Sequence, residues 1–394
     1  MISVEDFVRR YAVDRHNTDS VKWDGMDELF GTNDLLPLWV ADTEFKVPEE
    51  VTEALKKRIE HGVYGYSKTP DNYYEAYCKW QSERYGTEIQ HEWLRFSTGV
   101  VQSLSTLVNI LTQPDDAVMI LQPVYYPFMN VIKQNDRRMV ISNLKQDGTS
   151  YKMDLEDIKN KIEENHVKLF INCSPHNPVG RVWDKEELEA LLELCRQEKV
   201  LFISDEIHHD LIVGEKPFTS VLAIKDGLYR DNTVMVDSAS KTFNLAALQN
   251  SHVVIPNPQV RERYDHYMSQ LAAPAGSIIG KIAAEAAYTN GAEWLEGLLQ
   301  VVRSNYGYLK KSLRTHCPEA VVYDLEGTYL AWIDLSAVIE PEHLEYILKK
   351  KAHLAVDFGT MFGKTGKGFI RVNLATTPAN IKAATAALLE NIQG

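Results

Sequence analysis

Between Pro114 and Pro256 the chain alternates two kinds of apolar pattern. Short runs dense in β-branched and aliphatic residues recur as AVMIL, RMVIS, VKLFINCS, VLFIS, TVMVDS and HVVIP, each with the length of a buried strand. Between them lie stretches with helical spacing. In DKEELEALLELCRQEK, Leu188, Leu191, Leu192 and Cys195 share one face, charges take the other, and Asp184 stands where an N-cap belongs. Strands alternating with helices predict βαβ units and a largely parallel sheet, an α/β fold. After about Gly280 the pattern changes. Helical stretches in KIAAEAAYTNGAEWLEGLLQVVRSNYGYLKKSL lead into the strand-like YLAWIDL, a further helix, then GFIRVNLA and a closing helix. We therefore expect a large domain over residues 46–285 and a smaller α+β domain from 286–394, with 1–45 packed against it. No internal repeat is visible.

Length agrees with two domains, because 394 residues exceed the roughly 250–300 at which one hydrophobic core stops growing. Hydrophobic and charged contents of 44% and 25% are those of an ordered globular chain, without low-complexity tracts. The formal net charge of -13 argues against a nucleic-acid partner, whose phosphates call for clustered Lys and Arg. An anionic substrate would need a local cation. Cys78, Cys173, Cys195 and Cys317 are too scattered for a zinc motif, so buried free thiols are expected. The beginning, MISVEDFVRRYAVDRH, has acids where a signal peptide would be apolar, and no apolar run approaches the ~20 residues of a membrane span. These features predict a cytoplasmic protein with no membrane contact.

Four segments could carry chemistry. In FSTGVVQSLSTLVNIL, Val100, Val101, Leu104, Leu107, Val108 and Leu111 form one helical face. Ser97, Thr98 and Gly99 thus precede or begin a helix whose free N–H groups and dipole would suit a phosphate, although a plain helix entry fits the same pattern. In VLFISDEIHHD, Asp205 follows a buried strand. That is where α/β proteins place ligand-binding groups, and equally where Asp caps a helix. His208 and His209 adjoin it, but neighbouring histidines point apart and no third ligand is evident, so no metal is expected. In VKLFINCSPHNPVGRVW, Pro178 keeps Asn177 out of helical geometry at another strand end. In SASKTFNLAALQ, Lys241 sits between small hydroxyl residues and an apolar stretch, an unusual place for a solvated ammonium.

The order TG, PVYYPF, SPHNPVG, SDEIH and SASKTFN, spanning nearly the whole chain, resembles the fold-type-I family of pyridoxal-phosphate enzymes. Within it, PLWVADTEF, HGVYGYS, SDEIHHDL and SKTFNLAALQ resemble the cystathionine β-lyase or C–S lyase branch of the class I and II aminotransferases. The resemblance implies a seven-stranded, mostly parallel sheet between helices in the large domain. It implies that Lys241 forms a Schiff base with the aldehyde of pyridoxal 5'-phosphate, which requires an amine that is neutral part of the time. Asp205 would hold the protonated pyridine nitrogen, Asn177 the ring hydroxyl oxygen, and Tyr125 would stack on the ring, with Tyr126 the less favoured stacker. Gly99, Val100, Val101, His208, Ser238 and Ser240 complete the implied cofactor set. Arg371, in GFIRVNLA, would grip the substrate carboxylate through a two-pronged contact, with Val40 and Ala41 beside the substrate. Tyr66, in YGYS, corresponds to a residue that crosses from the neighbouring subunit, so the resemblance implies a homodimer with shared, catalytic use of Tyr66.

Two departures from aspartate-type aminotransferases bear on the reaction. Those enzymes carry Tyr three residues after the pyridine-binding Asp and Arg eight after the Schiff-base Lys, where this chain has His208 and Gln249. Both point to the lyase branch, hence to β-elimination from L-cystathionine, L-cysteine or related S-substituted cysteines. An aminotransferase of the same fold is the alternative, as is a relative with an added regulator-binding role. Without that arginine, helix N–H groups and hydroxyls must balance the phosphate. A third departure is VDFGTMFG, where relatives usually have proline near Phe358, in a loop close to the substrate mouth.

Overall fold

The computed structural model of the protein describes residues 2–273 and 276–392. Its largest sheet has seven strands: β1 (Leu94–Ser97), β2 (Ala117–Gln122), β3 (Arg138–Asn143), β4 (Val167–Cys173), β5 (Leu201–Asp205), β6 (Thr233–Asp237) and β7 (Ser251–Val254). They lie in the order β1-β7-β6-β5-β4-β2-β3. Strands β2 to β6 pair in parallel, whereas β7 runs antiparallel to both β6 and β1. Both faces of the sheet are covered. Every residue of β2 and β6 is buried, which is why these strands read as continuous apolar runs rather than alternating ones.

Helix α1 (Val100–Leu111) contributes Leu104, Leu107 and Val108 to one hydrophobic cluster with Ile203, Val234 and Val236 of the sheet. Helix α2 (Lys185–Gln197) starts on a capping box in which Asp184 and Glu187 each satisfy the other's backbone N–H. A helix over Ile278–Asn290 and α3 (Ala292–His316) meet at Gly291, where a Cβ would strike the Phe243 ring and the Ala287 carbonyl. The helical stretches expected after Gly280 are thus divided at this glycine.

A second sheet of four antiparallel strands contains β8 (Val321–Val322), β9 (Leu330–Asp334), β10 (Asp357–Phe358) and β11 (Phe369–Asn373), in the order β8-β9-β11-β10. The first helix, Val4–Tyr11, packs Phe7 against Trp294 of α3 with ring centroids 5.6 Å apart. Leu36–Pro37 pairs with Leu354–Ala355. Residues near the beginning thus touch elements near the end, and Asn373 of β11 donates to the Val40 and Asp42 carbonyls on either side of Ala41. Among the described residues no helix is long and apolar enough to cross a membrane.

Candidate active site

Three neighbouring strands end at one cavity. Cys173 of β4 stands opposite Asp205 of β5, and Asp205 opposite Val236 of β6. The loops that leave these ends carry Asn177, His208, and Ser238 with Lys241. The cavity measures about 280 Å³, close to the lower end of small-molecule sites. Its walls include Gly99, Val100, Val101, Tyr125, Asn177, Asp205, His208, Ser238, Ser240, Lys241 and Ala41. Val40 and Arg371 are not on these walls, and Tyr66 is fully exposed on its own chain. Thr98 of the helix entry lines the space too, as do Gln102, Cys173, Ile207, Ala246 and Asn250, which the sequence does not single out as binding residues.

The Lys241 amine donates to the Ala41 carbonyl at 2.8 Å, and the Tyr329 hydroxyl donates to the same oxygen at 2.9 Å. Burial lowers the Lys241 pKa to about 8; Asp42 and Asp205 pull it up and Arg371 pushes it further down. The stem of Lys241 faces the cavity, so the residue keeps some surface, but a small enclosed space solvates an ammonium far less than bulk water does. Asp205 is displaced the other way. Burial raises its pKa to about 7, with repulsion from Glu206 adding to the rise while the Ile207 N–H, at 3.1 Å from Oδ1, and Lys241 oppose it. Such a carboxyl is a poor anion until a cation meets it.

His208 is buried, and burial together with the charges of Lys241 and Arg371 keeps its pKa well below the usual histidine value. The ring is neutral, and its Nδ1 has no partner. Asn177 receives Arg371 Nη1 on Oδ1 at 2.9 Å, which turns the donor end of the amide toward the cavity. Burial pushes the Tyr125 hydroxyl up to about 12, so it stays protonated beside these groups.

At the other end, α1 presents the unpaired N–H groups of its first turn. The place where a Cβ would stand on Gly99 is open space, and its φ of 177° is ordinary extended backbone, so glycine leaves room there rather than relieving strain. The Ser238 hydroxyl is already engaged, donating to the Asn250 carbonyl at 2.7 Å and accepting the Ser240 N–H at 3.0 Å. It shapes the turn before Lys241, which leaves Ser240 as the hydroxyl of the pair without that duty. Gln249 does not line the cavity, but its neighbour Asn250 does. Asn250 Nδ2 donates to the Tyr73 hydroxyl at 2.7 Å, while its Oδ1 is unsatisfied. Behind it Tyr73 bonds to His252, and His252 to Asp237. Burial works against the Asp237 charge, yet His252 and Tyr77 hold its carboxyl below the usual range.

Open space at Gly99, orphaned polar atoms on His208 and Asn250, a carboxyl awaiting a cation and an amine of lowered pKa fit one compact ligand. It would carry an anionic group at one end, a basic ring nitrogen at the other and a carbonyl between. Among the described residues no group of three His, Cys, Asp or Glu side chains could hold a metal. Cys78 is partly exposed, and the other three thiols are buried.

The match to known proteins is extensive. Residues 30–388 fit the model of the aminotransferase class I and II family. The chain is 37% identical over 380 residues to a cystathionine β-lyase of Bacillus subtilis, covering 95% of this chain and 98% of that one. Its fold superposes with a TM-score of 0.94 on cystalysin from Treponema denticola, a structure that contains pyridoxal 5'-phosphate, at 34% identity and 100% and 99% coverage. It also superposes at 0.91 on the PLP-bound C–S lyase from Staphylococcus hominis, at 30% identity and 97% coverage of each chain.

Proposed function

Because the chain belongs to the aminotransferase class I and II family, we propose that it is a pyridoxal-phosphate-dependent carbon–sulfur β-lyase. Its substrates are L-cystathionine, L-cysteine and related S-substituted cysteines, and its products a thiol, pyruvate and ammonia. One observation carries the reading: an amine with a pKa of about 8 and a buried carboxyl with a pKa of about 7 border the same small cavity, in a chain whose similar proteins include C–S lyases.

When bound, pyridoxal phosphate supplies a carbonyl that captures amines and a cationic ring that takes up the electrons of a breaking bond. Asp205 would hold the ring nitrogen in its protonated form, a cation being what this buried carboxyl needs in order to ionise. Asn177 and the neutral His208 donate toward the ring oxygen. The first turn of α1 and Ser240 receive the phosphate. Lys241, neutral about half the time near pH 8, holds the cofactor at rest and then removes the α-proton of the substrate. The Ala41 carbonyl steadies the amine, and Tyr329 keeps that carbonyl satisfied when the amine departs. With sulfur on the β-carbon of the substrate, the chemistry the cofactor would supply once Lys241 has taken the α-proton is release of a thiolate. Arg371 fixes the substrate carboxylate, and Tyr66 reaches the site of a second copy of the chain, which makes the working unit a homodimer.

Incubating the cofactor-loaded protein with L-cystathionine and following pyruvate through lactate dehydrogenase tests the proposal. Pyruvate without any added amino acceptor, absent in Lys241→Ala, is the expected result. A keto acid that forms only when an acceptor is supplied identifies an aminotransferase and refutes the lyase reading.

A further inference from the structure

Arg371 already has a carboxylate partner. It lies on β11 directly across from Asp357 on β10, a register that brings opposite charges together on one face of an antiparallel pair. Its Nη2 makes a close ion pair with Asp357 Oδ2 and also donates to the Trp39 carbonyl at 3.1 Å. Nη1 is committed to Asn177, the guanidinium rests 4.8 Å from the Phe362 ring centroid, and Nε alone has no acceptor. The Asp357 side chain is 3% exposed and that of Arg371 4%. Water therefore screens neither charge appreciably. Arg371 reaches the cavity through its bond to Asn177, a residue of the cavity wall, which places the pair just behind that wall.

An arginine that receives a substrate carboxylate is most effective when its positive charge is unbalanced. Here a buried acid balances it. We propose that Asp357 acts as an internal competitor for the carboxylate of the amino-acid substrate on Arg371. An entering α-carboxylate must share the guanidinium with Asp357 or displace it, so carboxylate binding is weaker than the arginine alone would give. The loss is the same for every α-amino acid, so occupancy at a given concentration depends on contacts that the rest of the substrate makes, and the ratio between two substrates is set by those contacts. The inference rests on the reading that Arg371 takes the substrate carboxylate.

The test is Asp357→Asn in the cofactor-loaded protein. Asparagine keeps the size and an oxygen acceptor for Arg371 while removing the charge. Binding of propionate, a carboxylate with no amino group, is measured by calorimetry, and KM and kcat are measured with L-cystathionine. Propionate should bind about tenfold more tightly and KM should fall by a similar factor, with kcat within about twofold, as expected for loss of a competing charge. Asp357→Glu, which keeps the charge, should bind propionate like the unaltered protein, and this keeps the idea testable if the Asn variant folds poorly. The gain must vanish when Arg371→Ala is combined with Asp357→Asn. Unchanged or weaker propionate binding in the Asn variant would show that Asp357 orients Arg371, and would overturn the proposal. If Arg371→Ala alone leaves propionate binding untouched, the assignment of Arg371 fails instead, whatever the lyase assay gives.

Discussion

Replacing Lys241 by Met should stabilise the cofactor-free protein at neutral pH and destabilise it slightly at high pH. The lysine pKa falls from 10.5 to about 8 on folding, first because of burial. At roughly 1.4 kcal/mol per unit, keeping the ammonium charged inside the fold costs roughly 3 kcal/mol. Methionine removes that cost but also forfeits the bond to the Ala41 carbonyl, worth about 1 kcal/mol. The net gain is about 2 kcal/mol. With 394 residues and about 2.1 cal/mol/K of unfolding entropy per residue, the melting temperature should rise by about 2–3 °C at pH 7. The folded pKa lies below the unfolded one, so the penalty is complete below pH 8 and fades as pH rises from about 8 to 10.5. At pH 10.5 only the lost hydrogen bond remains, and the difference should change sign. Scanning calorimetry of both cofactor-free proteins at the two pH values reads this directly. A variant that melts lower at pH 7, or a difference independent of pH, would refute the view of Lys241 as a desolvated amine.

Asp205 makes the mirror-image case. Its folded pKa of about 7 lies above 3.8, so its cost appears as pH rises from about 4 to 7. Asp205→Asn should raise the melting temperature of the cofactor-free protein at pH 8 but not at pH 4, while equilibrium dialysis finds pyridoxal phosphate held more weakly. Tyr66 can be tested by subunit mixing. Refolding an inactive Lys241→Ala chain together with an inactive Tyr66→Ala chain should restore activity, about a quarter of the wild-type sites in a random mixture of dimers, and no recovery would place Tyr66 outside a shared site. Asp184→Ala removes one half of the capping box of α2 and should cost about 1 kcal/mol in urea unfolding without altering KM.

The strands around the cavity were legible because parallel strands buried on both faces leave uninterrupted apolar runs, as in AVMIL and VLFIS. The strand β1 was not, since LRFS is four residues with an arginine inside and its pairing with β7 depends on chain about 155 residues away. The antiparallel course of β7 is invisible for the same reason: HVVIP reads alike in either direction. Asp205, Asn177 and Lys241 could be found because each lies at or soon after the end of a strand and together they occur in the order that resembles the fold-type-I family. Asn250 could not, because its orientation comes from Tyr73, 177 positions earlier. Asp357 carried no local signal either. A single acid next to a phenylalanine reads as a loop, and only the cross-strand register turns it into the partner of Arg371.

Asp205 and the attachment points of Asn177 and Lys241 hang from three adjacent rungs, and the rung interval in any sheet is fixed near 4.8 Å by backbone hydrogen bonding. The protein thus carries a ruler that does not depend on which side chains are mounted on it. Exchanging one mounted group changes its chemistry and leaves the interval alone, so new reactivities can be tried one position at a time. Deleting a residue within β5 is a different kind of change, for it would draw Asp205 back by about 3.3 Å and flip its side chain to the opposite face.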